Sequence, residues 1–351
     1  MKQKIQVRRA VARMSPYNPP LEGRGDKLRL DFNENPLGCS PAVRQALRRL
    51  SGAAISMYPE QESVRSKLAK YFGVHRDELL LTNGTDEALK LVVDTFVDAG
   101  SGVLIVEPTF AMYRFYSELA GARVMALRYD NELRFPMKDV LASLRKSPRL
   151  FFLANPDSPT GSFLPPRELQ KIVRAARRTM VVIDEAYFEY SGMTVLPWIQ
   201  RHSNLIVTRT FSKAAGLAGL RIGCIFASRE MAAQIRKAQS PYPVNVAALA
   251  AALAAMRDRK FIARTLQETR RGRRELERGL KRLGVEFFPS AGNFILVNFG
   301  SRAKEIVSRL ARRGFLLRDR SNDFGGKGYV RVTLGTYPQT RRLLRQLEAI
   351  L

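Results

Sequence analysis

Three uninterrupted apolar runs, VLIV (103–106), LFFLA (150–154) and VVID (181–184), constrain this chain more than any other feature. Each is too short for a helix and lacks the alternation of a half-exposed strand, so each reads as a strand covered on both faces. Helical patterns lie between such runs. LLLTNG is followed by DEALKLVVDTFVDAG and SGVLIVEPTF, and ARVMALRYD, TMVVIDEAY, NLIVTRTFSK and RIGCIFAS continue the series. Alternating strand and helix predict an α/β fold: a mostly parallel sheet flanked by helices.

The alternation loosens after about residue 240, where SPYPVNVAALAAALAAMRD reads as a Pro-marked loop feeding an Ala-rich helix. Beyond it the order becomes long basic helix, strand, NFILVNFG, helix, strand, helix, which predicts a second, smaller α+β domain. The expected division is an arm over 1–35, rich in Pro, Gly and Asn, a large domain over 36–250 and a small domain over 251–351, joined through a helix near 245–275. The chain of 351 residues is long enough for such cores.

Several classes of function are excluded or disfavoured at this point. No stretch approaches eighteen apolar residues, so no membrane span is expected, and MKQKIQVRRAVARM has neither the apolar run nor the cleavage site of a secretory signal. Cys39 and Cys224 are too few for a disulfide framework, which fits a reducing cytoplasm. His75 and His202 are isolated, leaving almost no raw material for a metal site or a Ser/His/Asp triad. The net charge of +27 invites a polyanion-binding reading, and Arg257 to Arg282 holds eleven basic residues. Yet Arg270, Arg271, Arg273, Arg274 and Arg278 go round a helix rather than along one stripe. Leu276 and Leu280 supply its buried side, and no aromatic residues interleave for base stacking. Salt-sensitive, non-specific adhesion to polyanions is expected, without a specific nucleic-acid partner.

Three segments carry chemistry. In TRTFSKAAGLAGLRIG (208–223), Lys213 directly follows a strand and Ser212; its amine could condense with an aldehyde, and Thr210, Ser212 and Arg221 could surround a phosphate. Such a lysine is otherwise simply solvated. In VVIDEAYFEY (181–190), Asp184 ends a buried strand, where open α/β sheets bind ligands, with Tyr187 just beyond. At about 4 Å and an effective dielectric of about 20, its attraction for a protonated ring nitrogen is on the order of 4 kcal/mol; alternatively it caps the next turn. In TNGTDEALKLV (82–92), Asn83, Gly84 and Thr85 form a turn before a helix expected to begin at Asp86, a generic phosphate cradle. Together the three describe an aldehyde on a phosphorylated pyridine.

With LDFNENPLG, YPE, NGTDEAL, EPTF, a Pro-Thr-Gly turn, VVIDEAY, RTFSKAAGLAGLRIG, GNFILV and VRVTLGT in this order, the chain resembles the fold-type-I pyridoxal-phosphate aminotransferases over essentially its whole length. The resemblance is strongest to the histidinol-phosphate aminotransferase-like family. It implies pyridoxal 5'-phosphate held as a Schiff base by Lys213, with Asp184 on the ring nitrogen, Tyr187 on the ring 3′-oxygen and Phe110 stacked on the ring. Gly84, Thr85, Asp86, Thr210, Ser212 and Arg221 would surround the phosphate. Tyr58, in YPE, would reach it from a second subunit, implying a homodimer with shared sites. Tyr17, Asn33 and Asn35 would lie in the arm over the substrate, and Arg331, with Arg318 as companion, would bind the substrate anion. Two positions depart from the family. Ser158 stands where it usually has Asn before the Pro-Thr-Gly turn, and Phe110 where it has Tyr. Asn155 or a water is expected to replace the missing hydrogen bond to the ring oxygen.

The implied reaction is transamination between L-histidinol phosphate and 2-oxoglutarate. An aromatic or broad amino-acid aminotransferase and a threonine-phosphate decarboxylase of cobalamin synthesis are alternatives on the same scaffold. No residue legible in the sequence sets which bond to Cα stands perpendicular to the ring.

Overall fold

The strands whose apolar runs are unbroken lie where burial on two faces requires them, in the middle of a seven-stranded sheet. The structure, a computed structural model, describes residues 5–17, 20 and 22–351; arm residues 1–4, 18, 19 and 21 lie outside the described residues. The strands in chain order are β1 (Leu28–Leu30), β2 (Leu79–Thr82), β3 (Gly102–Glu107), β4 (Arg123–Arg128), β5 (Leu150–Ala154), β6 (Met180–Asp184), β7 (Leu205–Thr210), β8 (Gly223–Phe226), β9 (Glu286–Phe288), β10 (Phe294–Asn298), β11 (Phe315–Asp319) and β12 (Tyr329–Thr333). The large sheet runs β2-β8-β7-β6-β5-β3-β4. All its pairings are parallel except those of β8, which is antiparallel to both neighbours. Every residue of β5 and β7 is buried, and separate apolar clusters pack on the two faces. Edge strand β4 instead mixes exposed and half-buried residues and has none fully buried, as a strand at the rim of a sheet should.

The second sheet runs β1-β11-β12-β10-β9 around its own apolar cluster. Its first strand comes from the arm: Leu28–Leu30 pairs in parallel with Phe315–Leu317. The arm therefore does more than lie across the molecule; part of it is built into the smaller sheet. The Ala-rich and the basic helices expected after residue 240 are Val246–Arg257 and Arg259–Arg282, so the joining stretch near 245–275 is divided at Asp258, whose carboxylate caps the second by accepting from the Phe261 N–H at 3.1 Å. On that basic helix Leu276 and Leu280 face inward, and the arginines are distributed around the rest of its circumference.

Candidate active site

Parallel strands all present their C-terminal ends at one edge of the large sheet, and a cavity of about 440 Å³ opens there. Asp184 ends β6 and Thr210 ends β7, with Ser212 and Lys213 in the following turn. Phe110 follows β3, Ser158 follows β5, and Thr85 and Asp86 open the helix Gly84–Phe96 beside β2. The facing wall comes from the other sheet and the arm: Tyr17, Phe32, Asn33, Arg318, Arg320 and Arg331.

The helix starts at Gly84, two residues earlier than the sequence pattern indicates, so the NGT segment is already its first turn. Gly84 has φ +75, a left-handed conformation that favours glycine, and a Cβ there would push against the tip of the Arg221 guanidinium. Arg221 itself is left-handed at φ +53, and its Nη2 donates to Asp86 at 2.9 Å. The Thr85 hydroxyl is buried without a hydrogen-bond partner among the described residues, while the Ser212 N–H donates to Thr210 Oγ1 at 3.0 Å. Free helix N–H groups, an unpartnered hydroxyl and an arginine converge as an anion site.

Asp184 is 4% exposed, and burial pushes its carboxyl up to about 6 despite hydrogen bonds from the Tyr113 hydroxyl at 2.8 Å and the Ala186 N–H at 3.1 Å. A carboxylate so placed favours a cationic partner, because each positive charge brought beside it recovers part of the solvation it has lost. Tyr113 is itself buried, its ring stacked on Phe152 at 4.9 Å between centroids and its hydroxyl pushed well above 10 by burial and by Asp184. Tyr187 accepts from the Asn33 amide at 2.8 Å. Lys213 Nζ stands 5.8 Å from the centre of the Tyr187 ring and donates to the carbonyl of Phe32 at 2.9 Å. Phe110, at the rim, meets Tyr113 edge-on.

At the other end Arg331 donates through Nη1 to Ser158 Oγ at 2.8 Å and through Nη2 to the Asp31 carbonyl at 2.6 Å, leaving Nε without a partner among the described residues. Burial pushes its guanidinium down to about 10, and the neighbouring Arg320 and Arg318 push the same way.

Four of the expected residues do not line this cavity. Asn155, expected to replace the missing family asparagine, does not line the cavity, and its amide is turned to the Leu164 backbone: Nδ2 donates to the carbonyl at 3.1 Å and Oδ1 accepts from the N–H at 2.8 Å. Asn35 is likewise committed, its Nδ2 donating to the Ala214 carbonyl and Thr265 Oγ1; it straps the arm to the segment after Lys213. Tyr58 is 76% exposed and stacked on Tyr242 at 4.2 Å, outside the cavity of its own chain. Gly84 lies behind the wall and acts through Arg221. Sequence reasoning passed over Tyr113 and Arg320. The first gave no signal, since its partner is 71 residues away. The second did, since it follows Arg318 by two residues and so shares its side of an extended chain. Among the described residues no cluster of His, Cys, Asp and Glu is arranged to hold a metal, and no helix is long and apolar enough to cross a membrane.

The family model for aminotransferase class I and II matches residues 25–347. A histidinol-phosphate aminotransferase of Symbiobacterium thermophilum is 37% identical over 358 residues, covering 98% of this chain and 98% of that protein. Among solved structures, histidinol-phosphate aminotransferase from Sinorhizobium meliloti in complex with pyridoxal-5'-phosphate superposes with a TM-score of 0.90 at 25% identity, covering 100% of each chain. L-threonine-O-3-phosphate decarboxylase from Porphyromonas gingivalis superposes with a TM-score of 0.80 at 25% identity, over 92% of this chain and 99% of that one.

Proposed function

The chain belongs to the aminotransferase class I and II family, and from that premise we propose that it is a pyridoxal-phosphate enzyme transferring the amino group of L-histidinol phosphate to 2-oxoglutarate. The observation that carries the reading is one cavity with a lysine and a buried carboxylate at one end and arginines at the other.

The residues present fit the cofactor on their own chemistry. The Gly84 cradle, the unpartnered Thr85 hydroxyl and Arg221 suit its phosphate, and buried Asp184 suits a protonated pyridine nitrogen. When bound, pyridoxal phosphate supplies an aldehyde that condenses with amines and a ring that takes up the electron pair left when the bond from Cα to hydrogen breaks. Lys213 is the residue that would hold the cofactor, and its ε-amino group, when free, would act as the base that takes the substrate's Cα proton and later returns it. Asp184 would favour a protonated ring nitrogen, and Tyr113 fixes which way that carboxylate faces by donating to it. The Tyr187 hydroxyl, already receiving the Asn33 amide proton, retains its own hydrogen to donate toward a ring oxygen. Arg318 and Arg331 take the anionic end of the substrate, and a bidentate guanidinium suits phosphate and carboxylate alike.

A homodimer belongs to the same proposal, because Tyr58 presents an exposed aromatic surface away from its own cavity and is free to complete that of a second copy. The testing experiment is an amino-donor panel with 2-oxoglutarate, scored by glutamate formed. L-Histidinol phosphate is expected to lead it. Preference for an aromatic amino acid, or carbon dioxide release from O-phospho-L-threonine without glutamate, would overturn the donor assignment.

A further inference from the structure

Three guanidinium groups, rather than the two that the sequence motifs single out, stand at the substrate end of the cavity. Arg318 and Arg331 are directly opposite in the antiparallel ladder of β11 and β12, so both side chains leave the same face of the sheet. Arg320 is two residues beyond Arg318, and its N–H donates to the Tyr329 carbonyl at 2.8 Å, which continues the ladder past the end of β11. The two-residue period then returns its side chain to that face, and all three arginines line the cavity.

This arrangement is unfavourable for an empty sheet. Like charges across a ladder repel, and withdrawing them from water adds to the cost. A single carboxylate relieves it: Arg320 forms an ion pair with Asp323, whose side chain lies behind the wall. Arg331 spends its hydrogen bonds on Ser158 and a backbone carbonyl, both uncharged, and Arg318 makes no ion pair among the described residues. Three positive charges against one negative leave a surplus of two.

Resting on the proposed reading that this end of the cavity receives the substrate anion, we infer that Arg320 is a third ligand for that anion and tunes the site to a dianion, a phosphate monoester, over a carboxylate. A phosphate monoester, with a second ionisation near about pH 6, carries close to two negative charges at neutral pH and offers three acceptor oxygens. A carboxylate offers two oxygens and one charge, which Arg318 and Arg331 already satisfy. Asp323 offsets part of the Arg320 charge, so it competes with the ligand for that guanidinium rather than helping it. The 2-oxo acid acceptor enters the same space with its distal carboxylate and depends on Arg320 less.

The test is calorimetric titration of the cofactor-loaded enzyme with inorganic phosphate, alongside steady-state kinetics. Arg320→Gln should weaken the phosphate Kd by about 10- to 100-fold, the loss expected of one charged hydrogen-bonding partner. The KM for L-histidinol phosphate should rise in proportion, with kcat and the KM for 2-oxoglutarate little changed. Arg320→Lys should recover part of the affinity, and Asp323→Asn, which frees Arg320, should leave phosphate binding as tight or tighter. An unchanged Kd in Arg320→Gln would overturn the inference. So would equal weakening in Asp323→Asn, which would make the pair a structural strut. If the wild type does not distinguish L-histidinol phosphate from L-histidinol, the donor reading fails instead, and the phosphate titration still judges Arg320.

Discussion

The proposed cofactor end of the cavity hangs from strand ends of one sheet buried on both faces, whereas the proposed substrate end is assembled from the arm at 31–33, the turn at 156–160 and the ladder between 318 and 331. Asp184, Thr210 and the turn carrying Lys213 inherit their positions from continuous ladder hydrogen bonds. The opposite wall depends on single side-chain links: Arg331 to Ser158 and to the Asp31 carbonyl, Asn33 to Tyr187, and Thr333 to Asn33 at 3.0 Å. A packed sheet fixes reacting groups, and a wall held by individual hydrogen bonds, each worth about 1 kcal/mol, adapts to what enters. Damage at the first should therefore appear in kcat and damage at the second mainly in KM and stability.

The largest expected effect is at Lys213. Lys213→Ala should retain non-covalently bound cofactor yet lose roughly 10⁴-fold or more in kcat, because the proposed mechanism assigns one residue both attachment and proton transfer. Near-normal steady-state rates would remove the lysine from the mechanism. Next, Asp184→Asn keeps the shape of the side chain and removes its charge. A loss of about 10²- to 10³-fold in kcat with intact folding is expected, and an effect confined to KM would blur the distinction between the two ends.

Asn33 joins the two walls, and its φ of +57 is tolerated by asparagine better than by alanine. Asn33→Ala should lower unfolding free energy by about 2 kcal/mol, read by denaturant titration, with a smaller change in kcat than Asp184→Asn produces. The smallest effect on turnover belongs to a half-buried acid on neither wall. Burial pushes Glu189 from its usual 4.5 up to about 8, and one of its oxygens has no partner among the described residues. Between those values the unfolded chain has released this proton while the folded chain retains it, so its contribution to stability, complete below 4.5, drains away as pH rises to about 8. Glu189→Gln should accordingly raise the thermal midpoint more at about pH 8.5 than at about pH 5; the reverse order would assign the buried charge a stabilising partner.

The same contrast governs what was legible beforehand. Lys213, Asp184 and Arg221 sit in short segments where one strand end and its following turn decide the position, so consecutive residues sufficed to nominate them. Tyr113 escaped because its partner is brought to it only by the sheet order, which sets β3 and the helix after it across β5 from β6. Asn155 lay near enough in sequence to be nominated, but tertiary hydrogen bonds to Leu164 turn its amide away. The pairing of Leu28–Leu30 with β11 was invisible for the same reason, since a three-residue strand leaves no periodic signature and its partner is near the other end of the chain. Arg320 was the avoidable omission, for a two-residue spacing from Arg318 is itself a local signal.

The central claim, that Lys213 carries the cofactor covalently, is tested most directly by reducing the pyridoxal-phosphate-saturated protein with borohydride and mapping its peptides by mass. A single pyridoxyl-phosphate adduct, on Lys213, is expected, with loss of the visible absorbance as it forms. An adduct on other lysines with Lys213 unmodified, or no adduct at all, would contradict it.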